Sequence, residues 1–270
     1  FLTEQVWYSS KDGTRIPMFI VRPKDRPLDG TAPLLLTGYG GFDVSTHPLF
    51  SPKALVWLEA GGIYAAPCLR GGGEYGRSWH EAGMREKKQN VFDDFIAAAE
   101  WLVAQRYTDP GRLTIWGGSN GGLLTGAAVV QRPDLFRAAV VSMPLLDMVR
   151  FHKFGYAGIW REEYGSAEDP SQFPYLLRYS PYHNVRGDVR YPAVLLLGAQ
   201  NDARVDPLHA RKMAARLQAA GGGGGPILLM VRPAEGHLGG AGITKSIEDG
   251  VDTYGFLMGA VGLGSEGGKE

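Results

Sequence analysis

Few backbones can accommodate the run Gly117-Gly118-Ser119-Asn120-Gly121-Gly122, and no other segment restricts this chain so strongly. The residues before it, Leu113 to Trp116, are β-branched and aromatic and read as a buried strand. The small and apolar residues after it, Leu123 to Val130, read as a helix. Between them lies G-x-S-x-G, a pattern that turns a strand sharply into a helix and leaves one serine hydroxyl exposed at the apex. Glycines flank Ser119 because such a turn brings neighbouring backbone close, where a Cβ would collide. A serine so placed is a candidate nucleophile, although glycine-rich turns holding a serine also arise for structural reasons alone.

The same alternation continues through the 270 residues. Gln5–Ser9 and Ile16–Arg22 flank Lys11-Asp12-Gly13 and read as an antiparallel hairpin. Strand patterns recur at Leu34–Thr37, Ile63–Cys68, Ala138–Ser142, Ala193–Gly198 and Ile227–Val231. Helix patterns lie near Pro52–Ala60, Val91–Gln105, Pro207–Ala219 and Ile243–Leu257. Leu145 to Asn184 is aromatic and irregular, suited to short helices that form a cap or pocket wall. Repeated βα units imply a mostly parallel sheet with helices on both faces, in one large α/β domain without repeats. The 28 basic and 28 acidic residues cancel, so nothing global draws nucleic acid or an anionic membrane. No apolar run is long enough to span a bilayer. The chain opens at Phe1 without a methionine, as an excised or processed segment would, which leaves open whether a targeting sequence preceded it.

A serine hydroxyl needs a base to become a nucleophile near neutral pH. In sheets of this kind the partners follow the serine in the order acid, then histidine, on connections after later strands. Of the six histidines, only His209 and His237 lie in or beyond the last two such connections. His209 falls inside the helix pattern PLHARKMAARL, where a structural or solvent-facing role is simplest. His237 stands in the glycine-framed loop Glu235-Gly236-His237-Leu238-Gly239-Gly240 and is the expected base. Asp202 and Asp206 both follow the strand VLLLGA. Position favours Asp202 as the acid, because ligand sites of open α/β sheets collect at the carboxyl ends of strands. Asp206 precedes Pro207, where capping the next helix is its simplest role.

Other polar features carry structural readings. Asp93-Asp94 is expected to interact with the positive end of a helix, and Glu162-Glu163 to form a solvated face. Cys68, the only cysteine, rules out an internal disulfide framework, fits a reducing compartment and reads as a small buried hydrophobe. Arg70-Gly71-Gly72-Gly73-Glu74 superficially suggests a phosphate cradle but lacks the ending of a P-loop and the dinucleotide spacing. Gly221–Gly225 is expected to be a flexible loop and Gly264–Glu270 a frayed tail. No HExxH motif or Cys/His cluster points to a metal.

Taken together, TGYGGF at Thr37–Phe42, RGGGEYG at Arg70–Gly76, GGSNGG, FHK followed by a tryptophan and a Tyr-Gly pair, and NDARVDP closely resemble the catalytic domain of the prolyl oligopeptidase family. The resemblance runs from about Val6 to Leu257 and is more specific than a triad. It implies an α/β-hydrolase fold with a mostly parallel eight-stranded sheet, read as one peptidase catalytic domain over residues 1–270, with the family's β-propeller absent from this chain. It implies Ser119 as nucleophile, Asp202 as acid and His237 as base, in agreement with the independent placement. It also implies an oxyanion hole from the Tyr39 hydroxyl and the Asn120 backbone N–H. By resemblance Trp160 stacks on the substrate proline, Phe42, Leu145, Tyr164 and Val205 line the pocket, and Arg204 bonds the carbonyl of the preceding residue. Two departures stand out: Ala203 replaces the second aspartate usual after the acid, and Leu238 interrupts the small residues after the histidine.

The expected activity is therefore that of a serine endopeptidase cutting after proline in oligopeptides, without a cofactor. Two other readings stay open from the sequence: a related esterase or aminopeptidase, or a catalytic-domain fragment inactive without its propeller.

Overall fold

The computed structural model describes residues 1–237, 239 and 242–264. Leu238 and the tail from 265 to 270 lie outside the described residues, and with them the expectations placed there. Eight strands form one sheet: β1 Leu2–Ser9, β2 Arg15–Arg22, β3 Leu34–Thr37, β4 Ile63–Pro67, β5 Leu113–Gly118, β6 Ala138–Ser142, β7 Ala193–Ala199 and β8 Ile227–Arg232. Their spatial order is β1-β2-β4-β3-β5-β6-β7-β8. β2 runs antiparallel to β1 and β4, and every later pairing is parallel. The helices are α1 Pro52–Glu59, α2 Arg77–Glu81, α3 Gln89–Ala104, α4 Asn120–Gln131, α5 Arg161–Tyr164, α6 Phe173–Tyr179, α7 Leu208–Ala220 and α8 Ile243–Val261. Among the described residues no helix is long and apolar enough to cross a membrane.

Alternation along each central strand splits the core in two, because successive side chains leave a strand on opposite faces. Leu34, Leu36, Ala139, Val141, Val194 and Leu196 face the cluster built with Phe92 and Phe95 of α3, Leu124 and Ala127 of α4, and Met213 of α7. Leu35, Ala138, Val140, Leu195 and Leu197 face the other cluster, with Trp57 of α1 and Tyr254 and Leu257 of α8. Each of these large side chains contributes roughly 1.5–3 kcal/mol by leaving water.

Two expectations need correction. α3 begins at Gln89, so Asp93 and Asp94 lie beyond its first turn and no helix end explains them. Asp94 is instead fully buried and binds the Arg70 guanidinium, with Nη2 2.6 Å from Oδ1 and Nε 3.0 Å from Oδ2, while Ser10 donates to it at 2.5 Å. Asp12 takes the other side of Arg70 at 2.5 Å, so the Arg70–Glu74 segment is anchored to the hairpin turn. Glu163 is also buried, and only Glu162 meets solvent. The glycine run after α7 is a loop, as expected, and part of it lies against the backbone before β7: a Cβ at Gly224 would lie 2.1 Å from the Tyr191 carbonyl oxygen. Finally, α2 and the short turn Arg85–Lys87 were not visible as periodic patterns. Cys68 is buried as expected, and desolvation pushes its thiol up to about 12.

His209 is structural. Its ring is buried in α7, and Nδ1 accepts hydrogen bonds from the Leu146 and Asp147 amides at 3.2 and 3.1 Å. Two donors pointing at Nδ1 require the neutral ring, and burial depresses its pKa to about 4. The unfolded chain takes up this proton near pH 6.5, so the stabilisation is complete above that pH and is lost as the pH falls towards 4. Between pH 7 and 5 the unfolding free energy, measured in urea, is expected to fall by about 2 kcal/mol more in the wild type than in His209→Gln.

Candidate active site

Ser119 sits between β5 and α4 with φ +57° and ψ −118°, a left-handed conformation costly for a residue with a side chain. Its N–H donates to the Ser142 carbonyl at 2.9 Å, and its own carbonyl accepts from Gly122 and Leu123, so both sides of the strained residue are tied down. The glycines around it are not equivalent. A Cβ on Gly117 would come within 2.1 Å of the Gly121 carbonyl oxygen, whereas on Gly118 its nearest neighbour would be 3.7 Å away. The collision expected on both sides of the serine therefore does not apply to Gly118. Gly117→Ala is expected to cost at least about 3 kcal/mol, because backbone must move. Gly118→Ala should stay within about 1 kcal/mol of wild type, a contrast that urea midpoints will measure.

β8 ends at Arg232 and delivers His237 to the serine. Its Nε2 lies 3.0 Å from Ser119 Oγ, and its Nδ1 lies 2.7 Å from Asp202 Oδ2. The other Asp202 oxygen, Oδ1, accepts the backbone N–H groups of Arg204 and Val205 at 2.9 and 2.8 Å. A carboxylate only accepts, so Nδ1 carries the imidazole proton and Nε2 turns a lone pair to the serine hydroxyl. Asp206 does not join this chain; its Oδ1 accepts the Leu208 N–H at 2.8 Å at the start of α7. Ala203 is exposed beside Asp202 and leaves both hydrogen bonds of Oδ1 in place. The base of the histidine loop is tied by Arg232, whose guanidinium reaches Asp249 at 2.5 Å and Asp252 at 2.8 Å, and by Lys245 on Glu235 at 2.8 Å.

Tyr39 follows β3, and its hydroxyl interacts with Ser119. Burial, with Glu163 assisting, pushes its pKa up, so it stays protonated and can donate; Arg204 and Ser119 pull the other way. Asn120 is the first residue of α4, so its N–H has no carbonyl within the helix to meet. Its side chain is engaged elsewhere: Nδ2 donates to the Tyr39 carbonyl at 2.6 Å and Oδ1 accepts from the Tyr164 hydroxyl at 2.8 Å. The two donors assigned to an oxyanion hole thus flank the same serine.

The aromatic residues gather, though not all as open surface. Phe42 meets Trp160 edge-on at 6.2 Å and Tyr164 at 5.6 Å between ring centres, and both Phe42 and Trp160 are half-buried. Tyr164 is fully buried behind Phe42, and Leu145 and Val205 are buried in the same core cluster. Arg204 is exposed, with its charge felt at the Tyr39 hydroxyl. Two cavities adjoin the serine turn. One of about 420 Å³ touches Ser119, His237, Trp116, Met143 and Tyr254, and one of about 650 Å³ touches Tyr39, Gly118, Phe50 and Leu58. Phe42, Trp160 and Arg204 line neither of these two cavities.

Sequence reasoning missed Lys88 and Glu163. Both are buried, 3.3 Å apart, and contact the Tyr39–Phe42 segment: Lys88 Nζ donates to the Gly40 carbonyl at 2.9 Å, and Phe42 N–H donates to Glu163 Oε1 at 3.2 Å. Their charges, set in polar local sequence, gave no sign of burial; only TGYGGF marked that loop as special.

A parallel-centred sheet of eight strands, with a serine turn after β5 and later connections bringing histidine and aspartate to it, is the α/β-hydrolase fold. Within that class, the model of the prolyl oligopeptidase family matches residues 48–263, and the chain belongs to that family. It is 48% identical over 267 residues to prolyl oligopeptidase ophP of Omphalotus olearius, covering 97% of this chain and 36% of that protein. It is 42% identical over 264 residues to the prolyl endopeptidase of Elizabethkingia miricola, covering 97% of this chain and 37% of that one. A solved prolyl endopeptidase structure, analysed for inter-domain dynamics in catalysis and specificity, superposes with a TM-score of 0.95 at 56% identity, covering 97% of this chain and 39% of the other. The chain thus spans little more than a third of the length of the relatives it matches.

Proposed function

We propose that this chain is the catalytic domain of a serine endopeptidase that cuts on the carboxyl side of proline in oligopeptides. The observation that carries the reading is the unbroken hydrogen-bond chain from Asp202 through His237 to Ser119. Ser119 Oγ attacks the carbonyl carbon as His237 Nε2 takes its proton, and Asp202 supports the imidazolium that results. The tetrahedral oxyanion receives hydrogen bonds from the Tyr39 hydroxyl and the Asn120 N–H. Collapse breaks the C–N bond, and the proton held on Nε2 passes to the departing amine. Water, deprotonated in turn by His237, then releases the acid from the acyl-serine. Proline has no polar handle, and the half-buried rings of Phe42 and Trp160 suit a flat apolar ring. Family membership supports the same preference. In this reading a β-propeller belongs to the intact protein and lies outside these 270 residues, and the short share of its relatives that the chain spans supports that.

The test is hydrolysis of a chromogenic peptide carrying proline before the scissile bond, against its alanine counterpart. The proline peptide should be strongly preferred; equal rates would favour a related esterase or aminopeptidase. A fluorophosphonate should label Ser119, and failure to label would favour an inactive fragment. Tyr39→Phe is expected to lower kcat about 10²–10³-fold with little change in KM, because its hydrogen bond forms only as negative charge develops.

A further inference from the structure

We propose that the buried Lys88–Glu163 ion pair is a positioning device for the reaction, holding the Tyr39–Phe42 loop so that the Tyr39 hydroxyl and the Phe42 ring take fixed places beside Ser119. The inference rests on the reading of Ser119 as nucleophile given above.

Three backbone groups in this four-residue loop are each held by a buried side chain from a different element. The Tyr39 carbonyl accepts from Asn120 Nδ2 of α4 at 2.6 Å. The Gly40 carbonyl accepts from Lys88 Nζ, at the start of α3, at 2.9 Å. The Phe42 N–H donates to Glu163 Oε1 of α5 at 3.2 Å. Lys88 and Glu163 are 1% and 4% exposed at the side chain and meet at 3.3 Å, so each end of the pair neutralises the other while gripping the loop. His80 Nε2 holds the second Glu163 oxygen at 2.8 Å, which leaves Oε1 facing Phe42 and Lys88. Gly41 lies wedged between two of these grips: a Cβ there would be 2.6 Å from Asn120 Nδ2 and 3.0 Å from Glu163 Oε1.

The loop needs holding. Phe42 and Asp43 both have left-handed φ, +57° and +59°, which residues with side chains rarely adopt without external restraint. Burying a lysine and a glutamate is also expensive, and apolar residues of the same size would fill the space at lower cost. Burial further lowers the Lys88 pKa against the pull of Glu163. Besides the Glu163 charge felt at the Tyr39 hydroxyl, what the pair provides is the direction of the backbone groups it binds. Glu163 stands between Trp160 and Tyr164 in sequence, so one carboxylate links the aromatic face to the loop bearing Tyr39. Lys88 lies over the Tyr164 ring at 5.3 Å and braces it from behind. The oxyanion donor and the proline wall are therefore set by the same pair.

The test uses the intact protein with Lys88→Met and Glu163→Gln made together, which removes both charges and leaves no lone buried ion. A displaced Tyr39 hydroxyl should lower kcat for the proline peptide on the order of 100-fold, and a loosened Phe42 should raise KM several-fold. In a Tyr39→Phe background the kcat penalty of the same double change should shrink to no more than about threefold, while the KM increase persists, because the donor being positioned is gone. General structural damage would cost the same kcat in both backgrounds. Equal penalties, or a double variant within twofold of wild type, overturn the proposal. If the double variant does not fold, Glu163→Asp keeps both charges in place and draws the carboxylate back from the Phe42 N–H. It should give a smaller, about tenfold, kcat loss that likewise disappears with Tyr39→Phe; a loss that persists there also overturns the proposal. A wild type no faster than Ser119→Ala would instead overturn the reading of Ser119, and the clamp with it.

Discussion

Ser119→Ala is expected to lower kcat/KM for a proline-linked reporter by about 10⁶-fold, the largest effect of any single change in this chain. The substitution removes only Oγ, the atom 3.0 Å from His237 Nε2. The contacts that secure the turn belong to the backbone, namely Ser119 N–H on the Ser142 carbonyl and the Gly122 and Leu123 amides on the Ser119 carbonyl. Alanine at φ +57° is strained no more than serine is, so folding and peptide binding should survive. Residual turnover above the rate in water would come from the Tyr39 and Asn120 donors acting on an attacking water. Steady-state rates combined with fluorophosphonate titration will measure this: the variant should take up no label and retain its unfolding midpoint. Hydrolysis at the wild-type rate by Ser119→Ala would place the chemistry elsewhere in the protein.

Asp202→Asn is expected to cost about 10⁴-fold in kcat near neutral pH, although the replacement is nearly isosteric. The hydrogen bonds dictate which way the new amide must face. Two backbone N–H groups, from Arg204 and Val205, point at Oδ1 and require an oxygen there. The NH₂ group is therefore forced onto the side of Oδ2, 2.7 Å from His237 Nδ1, where it can only donate. Nδ1 must then accept, its proton moves to Nε2, and the face turned to Ser119 becomes a donor that cannot take the hydroxyl proton. Because the donors on Oδ1 are undisturbed, KM and thermal stability should change little. A large rise in KM with kcat preserved would mean that Asp202 serves binding rather than the imidazole. Histidine NMR on the variant provides a second readout, with the ring proton expected on Nε2 instead of Nδ1.

Local patterns revealed most of the sheet. Short apolar runs marked β3 and β6 to the residue and β2 to within one position, and G-x-S-x-G located the turn after β5. Helix ends were less legible: α4 starts three residues before Leu123, because glycine and asparagine carry little helical signal yet are held there by the turn. The order of acid and base was also readable, since Asp202 and His237 follow the last two strands. The Asp94–Arg70 pair and the Lys88–Glu163 pair were not, and for a common reason. Each joins charged residues 24 or 75 positions apart, and in sequence an Asp-Asp or Glu-Glu pair looks the same whether water or a guanidinium surrounds it. Tyr164 shows the same limit: its type suited a buried helix face and the resemblance made it a pocket wall, while its place behind Phe42 and its bond to Asn120 depend on where α5 packs.

By itself, the amino-acid sequence determined the alternation of strands and helices, the serine turn and the chain order of its partners, because these follow from residue size, hydrophobic period and backbone freedom over a few neighbours. Only the tertiary structure decided which charges are buried, which way each carboxylate oxygen faces and what holds the Tyr39 loop. Those outcomes depend on desolvation and hydrogen-bond direction, which exist only once residues distant in the chain share one interior.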